Sequence, residues 1–300
     1  MQFLGEQRWP LAVGVKGIAW LWKRSRRVAV AAVVVVTVVK VHGYIAKQQR
    51  RKRWENAGKD VAVVHMFPRG RKLPNLSPFV LKLETYLRMA DIKYEVDFEE
   101  PLGAKNKAPW ITLNGEELTD SQLIVEHLAS KFEKDFSSHL TREERATAHA
   151  LRTMLEDHTL WVLVYERYVE KRGKALLRGM HVPCYLRMAV NMFVRRIKKV
   201  CWLQGMGRHS PTEIQHMGKQ DLSALSDYLG DKDFLMGDKA TEVDCTLFGF
   251  LCQLMWADVG SPYVKMLETE FPNLRAYTLR VRDKFWPDWN ACLDPPQPVQ

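Results

Sequence analysis

The chain has 300 residues, 46% of them apolar, and a net charge of +10. This is the composition of a folded globular protein with room for one or two domains, and it excludes a chain that is disordered throughout. Residues 1–53 hold twelve Lys/Arg and one acid, Glu6, which leaves 33 Lys/Arg against 34 Asp/Glu elsewhere. The basicity therefore belongs to the N-terminal segment, which argues against a nucleic-acid-binding domain with its basic patch on the fold.

In chain order, residues 1–22 are apolar with scattered charges, and Lys23, Arg24, Arg26 and Arg27 follow. Residues 28–39 carry no charge, and the apolar stretch continues past Lys40 to residue 46. A membrane span needs about 20 mostly apolar residues, so 28–46 reaches if Lys40 snorkels to an interface. A signal peptide is disfavoured because no small-residue cleavage site follows and a basic cluster does. A buried core element would hardly sit between two basic clusters. The expectation is an N-terminal segment, 1–58, with a single membrane-anchor helix at about 28–46. Lys47, Arg50, Arg51, Lys52 and Arg53 form the larger cluster, which places the globular part in the cytosol. Mitochondrial outer membrane and endomembrane both fit.

Residues 61–67, VAVVHMF, read as a first strand. Ser77-Pro78 reads as N-cap and first turn of a helix to Met89. Residues 94–98 make a second strand. Pro109 heads a third, Trp110 to Leu113, and must lie at an edge or in a cis turn because it cannot donate to a ladder. Asn114-Gly115 is a two-residue hairpin signal, and Asp120-Ser121 opens the next helix. After a polar linker at 130–140, Thr141 and Glu144 form a capping box for a long amphipathic helix. A further helical region, 176–207, has a basic face (Arg187, Arg195, Arg196, Lys198, Lys199), either solvated or resting on anionic lipid. Ser210-Pro211 starts another helix. Thr241 and Asp244 make an acidic capping box ahead of the apolar run 245–256, so Asp244 reads as structural. The five cysteines, Cys184, Cys201, Cys245, Cys252 and Cys292, have no metal-ligand spacing and fit a reducing compartment. No phosphate loop, HExxH or GxSxG is present.

The runs Leu76-Ser77-Pro78-Phe79, Leu83-Glu84-Thr85-Tyr86 and Lys107-Ala108-Pro109-Trp110-Ile111, with Phe234-Leu235-Met236-Gly237 and Lys284-Phe285-Trp286-Pro287, resemble the failed-axon-connections family. That family is metaxin-related and belongs to the glutathione-transferase superfamily. The resemblance covers roughly residues 60–290 and implies an α/β thioredoxin-like N-terminal domain (60–131) and an all-α C-terminal domain (141–290), and the terminal tail (291–300) is expected to be disordered. It also implies glutathione as substrate or ligand. Ala108 and Pro109 would pair with its cysteinyl part, Asp120 and Ser121 would hold its γ-glutamyl end, and Ser77 would be the catalytic hydroxyl that stabilises the thiolate. No metal is implied. Bare helix capping is the competing reading for Ser77 and for Asp120-Ser121. His65 and Tyr86 are pocket or core candidates. Only residues 99–107 separate the second strand from Ala108, where transferases place a helix serving the glycine end of the tripeptide. The resemblance thus leaves three functions open: an adaptor with weak or no activity, with a homodimer or other protein as partner; an active glutathione-dependent transferase; and a metaxin-like import component of the mitochondrial outer membrane.

Overall fold

The structure, a computed structural model, describes residues 12–174, 187–257 and 260–295. It divides into two units, Met1–Asn56 and Ala57–Gln300. Among the described residues the first unit is one helix, α1 (Ala12–Glu55). Its part Val28–Glu55 has a mean hydropathy of 2.1 in its most apolar window, and none of that window is buried. Val33, Val35, Val38 and Val39 are all exposed. By length and composition alone this stretch could cross a membrane.

The second unit opens with β1 (Ala62–His65), α2 (Pro78–Met89), β2 (Tyr94–Asp97), β3 (Trp110–Leu113), β4 (Glu116–Thr119) and α3 (Ser121–Phe132). The sheet order is β2-β1-β3-β4; β1 runs parallel to β2, and β3 antiparallel to β1 and β4. Asn114 and Gly115 both take positive φ, 51° and 84°, and so close the β3–β4 hairpin. Ala62, Val64, Ile111 and Leu113 form one face of the sheet. They pack with Leu83, Tyr86 and Leu87 of α2 and Ile124, Val125 and Leu128 of α3. Period-two and period-3.6 patterns therefore meet in one apolar layer.

Between β2 and β3 there is no helix. Residues 98–109 make a turn in which Asn106 N–H donates to Gly103 O and Trp110 Nε1–H donates to Glu100 O. Gly103 lies so close to Trp110 that a Cβ there would be 2.8 Å from its ring.

The helical part comprises α4 (Arg142–Thr153), α5 (Leu160–Val164), α6 (Arg187–Gln204), α7 (Pro211–Leu229), α8 (Glu242–Trp256), α9 (Pro262–Thr269) and α10 (Pro272–Phe285). Thr141 and Glu144 form the expected capping box on α4, and Ser210 and Glu213 form another on α7. The helix begun by α4 does not stay α-helical. π turns at Met154–Thr159 and Tyr165–Glu170 flank α5. An extra residue in a π turn rotates the side chains that follow. Here it lets Glu156 meet Lys82 on α2 while His158 and Thr159 meet Asp221 on α7.

Helix α8 is buried from Val243 to Leu254 and is the axis of the helical core. It crosses α2 closely: a Cβ on Gly249 would be 2.4 Å from Pro78 O. The expected disordered tail at 291–300 is ordered over its first residues, because Leu293 fills the helical core and Asp294 N–H donates to Gly70 O. Residues 296–300 lie outside the described residues, as do Cys184 and 175–186 of the basic helical region.

Candidate functional site

The strand register gathers the expected site residues at one end of the sheet. Asp97, His65, Trp110 and Thr119 form a row across β2, β1, β3 and β4. Ser77 follows β1, Ala108-Pro109 precedes β3 and Asp120-Ser121 follows β4, so all of them lie beyond that row.

Ser77 is the N-cap of α2 with extended φ, ψ, and Pro78 is the first helical residue. Its backbone N–H donates to Asn75 Oδ1, and its half-buried hydroxyl makes no cap hydrogen bond. The loop before it is fixed from both sides. Asn75 Nδ2 donates to Phe67 O, while Gln253 Nε2 of α8 donates to Asn75 O. Arg167 donates to Leu76 O at 2.7 Å and to Gln253 Oε1 at 2.8 Å. The helical domain thus sets the position of a hydroxyl that belongs to the sheet domain.

The Ala108–Pro109 peptide is cis, as the edge-or-cis alternative allowed. Among the described residues, neither the N–H nor the C=O of Ala108 bonds another backbone group. Both are available to pair with a peptide ligand lying alongside. Asp120 has φ 80°, and its Oδ1 accepts from Gln122 N–H at 3.1 Å and Leu123 N–H at 3.4 Å. It is a capping residue, with its second carboxylate oxygen outside those bonds. Ser121, the first residue of α3, is buried. A helix N-terminus with a hydroxyl and an acid beside it suits a group carrying both carboxylate and ammonium.

Sequence reading passed over the group that joins these pieces. Lys82 is buried in the apolar stripe of α2, and its Nζ donates to Gln122 Oε1 and Glu156 Oε1, each at 2.6 Å. Arg152 supports Glu156 from the next turn. Burial pushes the Lys82 amine below its ordinary pKa and Glu156 opposes that shift. One bridge therefore ties the Ser77 helix, the residue after Ser121 and the helical domain. The detectable signal was a lysine in the run Val80-Leu81-Lys82-Leu83, where a charge needs a partner.

Other candidates turn out to be structural. Tyr86 is buried and donates to Lys134 O. His65 is buried, stacks on Trp110 at 3.7 Å, and bonds Asp97 and Thr112; burial lowers its pKa against the raising effect of Asp97. Arg69 is a bidentate partner of the buried Glu84 at 2.7 and 2.8 Å. Burial raises the thiol pKa of Cys201, Cys245 and Cys252, and that of Cys292 to about 11, so none is an activated nucleophile. Among the described residues, no cluster could hold a metal ion. A groove of about 750 Å³ beside Val61, Arg88 and Tyr94 lies at the opposite end of the sheet from Ser77.

The fold and this site end define a class, and comparison with known proteins agrees with it. The sequence profile of the glutathione S-transferase N-terminal domain matches residues 78–173, and that of the glutathione S-transferase C-terminal domain matches 218–281. A β-etherase from Sphingobium shares the fold, with a TM-score of 0.53 at 16% identity over 74% of this chain and 94% of that one. An isoprene-epoxide glutathione S-transferase from Rhodococcus is 30% identical over 71% of this chain and 94% of its own length. The chain belongs to the glutathione-transferase superfamily. Failed axon connections from Drosophila melanogaster is 36% identical over 81% of this chain, and human metaxin-1 is 25% identical over 81%. The chain spans 64% of the Drosophila protein's length and 55% of the metaxin's. Within the superfamily its similarity to failed axon connections exceeds its similarity to metaxin-1.

Proposed function

We propose that this chain is a membrane-anchored glutathione-transferase-like protein that serves chiefly as an interaction scaffold, with weak or no transferase activity. The observation that carries this reading is the connection 98–109. The residues that would cradle the γ-glutamyl and cysteinyl parts of glutathione, Asp120-Ser121 and Ala108-Pro109, lie at one end of the sheet, while a turn stands where a helix beside the glycine end was expected. Binding then survives in part, with a dissociation constant in the millimolar range, about −4 kcal/mol. A shared fold does not itself confer activity.

A second reading, a working glutathione-dependent transferase, is favoured by the Ser77 hydroxyl, which no cap bond occupies. At a helix N-terminus such a hydroxyl stabilises a thiolate. Calorimetric titration of the full chain with glutathione, together with turnover of a model electrophile, separates the two. Micromolar binding with turnover overturns the scaffold reading. No heat at about ten millimolar glutathione, −2.7 kcal/mol, removes glutathione from the function.

The anchoring part rests on the apolar helix Val28–Glu55 and on the larger basic cluster that follows its apolar stretch, which favours a cytosolic folded unit. Resistance to alkaline carbonate extraction is expected. Release into the supernatant would instead make α1 an interfacial helix.

A further inference from the structure

Residues 171–212 contain ten Lys/Arg and no Asp/Glu. The rest of the chain after residue 53 holds 23 Lys/Arg against 34 Asp/Glu, so the near-neutral folded unit is a basic segment set in an acidic body. Helix α6 lies within that segment. Val190, Val194, Ile197 and Cys201 recur at three and four residues and turn inward, with Val190 and Cys201 buried. The opposite side is not the purely polar side of an ordinary surface helix. It exposes Met188 (74%), Met192 (64%), Trp202 (57%) and Leu203 (67%), with Arg195, Arg196 and Lys199 between them. At 100° per residue these seven fall on one side of the helix.

We propose that this side of α6 is a docking surface for an anionic lipid bilayer, separate from α1. The basic side chains meet the headgroups, and the methionines, Trp202 and Leu203 enter the boundary between headgroups and acyl chains. Charge complementarity selects the partner: among the described residues Arg195, Arg196 and Lys199 have no acidic partner, and the segment has no acid to compete with a lipid phosphate. The apolar residues select against a nucleic acid, which would leave four large apolar side chains in water. Beside this surface a cavity of about 320 Å³ lies between Tyr165 and Trp202, with Arg195, Lys198 and Lys199 in its wall. Three bases beside two aromatic rings make it a seat for one phosphate-bearing headgroup.

The full chain is combined with vesicles of phosphatidylcholine alone or of phosphatidylcholine with phosphatidylserine, and amide hydrogen exchange is followed over 187–204. Exchange should slow only with phosphatidylserine present, and the slowing should fade as salt is raised. Arg195→Glu/Arg196→Glu/Lys199→Glu alters exposed side chains only, so its melting temperature should hold. Docking should weaken by roughly fivefold for each base lost. Met192→Ser/Leu203→Ser should weaken docking at unchanged charge. Equal exchange in both vesicles, or protection that survives the triple charge reversal, overturns the proposal. Stronger protection by an added oligonucleotide than by vesicles overturns it in favour of nucleic acid. Carbonate extraction reports on α1 and exchange reports on α6, so either membrane assignment can fail alone.

Discussion

Helices α2 and α8 begin in nearly the same way, with a hydroxyl residue at the N-cap, yet the two starts have opposite fates. At α8, Asp244 is fully buried. Its Oδ1 accepts from Leu235 N–H and the Tyr277 hydroxyl, and its Oδ2 from the N–H and hydroxyl of Thr241. Burial raises the Asp244 pKa, and these hydrogen bonds oppose the shift. Both oxygens of the Asp244 carboxylate are used inside the protein. At α2, Ser77 is half-buried, its hydroxyl is spent on no cap, and its loop is held by Asn75, Gln253 and Arg167 instead. A cap closed on itself is a folding device. A cap position held in place by its neighbours, with its hydroxyl spared, is where a ligand can be met.

The contrast is broken most severely at Asp244. Asp244→Ala strands three donors in the core, while the Tyr277 hydroxyl keeps the backbone carbonyl of residue 244, and it should cost about 3 kcal/mol or more, seen as a large fall in melting temperature without ligand. An unchanged melt with glutathione binding lost would reverse the assignment. At the open end, Ser121→Ala should leave the melt almost unchanged and weaken glutathione binding by about 1.5–3 kcal/mol, measured by calorimetry, because a charge-assisted hydrogen bond is removed. If the melt falls instead, Ser121 is structural.

Lys82→Met links the two cases. Gln122 and Glu156 lose their donor, and a stability loss of about 1–3 kcal/mol is expected from chemical denaturation. Glutathione affinity should fall as well, since Gln122 adjoins Ser121; unaltered affinity would mean that the bridge serves the domain joint alone. Ser77→Ala should change stability by less than about 0.5 kcal/mol and abolish any conjugation while sparing binding.

The smallest effect concerns pH. Arg88 is a bidentate partner of Asp288 and holds its carboxyl below the ordinary value of 3.8. A depressed carboxylate stabilises the fold above its unfolded pKa and loses that contribution as pH falls through the folded value. Since Asp288 is half exposed, the contribution is at most about 1 kcal/mol. Asp288→Asn should flatten the fall in melting temperature as pH drops below about 3.8, and an unaltered profile there would assign the acid sensitivity elsewhere.

The sheet domain was legible because its signals are local. The β-branched run at β1, Ser77-Pro78, Asn114-Gly115 and Asp120-Ser121 each specify backbone geometry within a few residues. The capping boxes at Thr141 and Thr241 were legible for the same reason. The π turns after α4 were not, since they exist to aim Glu156 and His158 at partners 74 and 63 residues away. Neither was the ordered start of the tail, which depends on Leu293 finding the helical core.

By itself, then, the sequence determined the elements, the two-domain order, the separate apolar helix, and which residues close the ends of helices, because caps, turns and periodicity act over one or two turns of chain. Tertiary structure alone decided which polar groups are used up. Glu84 takes Arg69 out of reach of an anion, Lys82 becomes a bridge, and the Ser77 hydroxyl is left over. The reason is that a buried charge or donor takes its partner from whatever distant segment packing brings beside it, and the cost of leaving it unpaired is set only once water has been excluded.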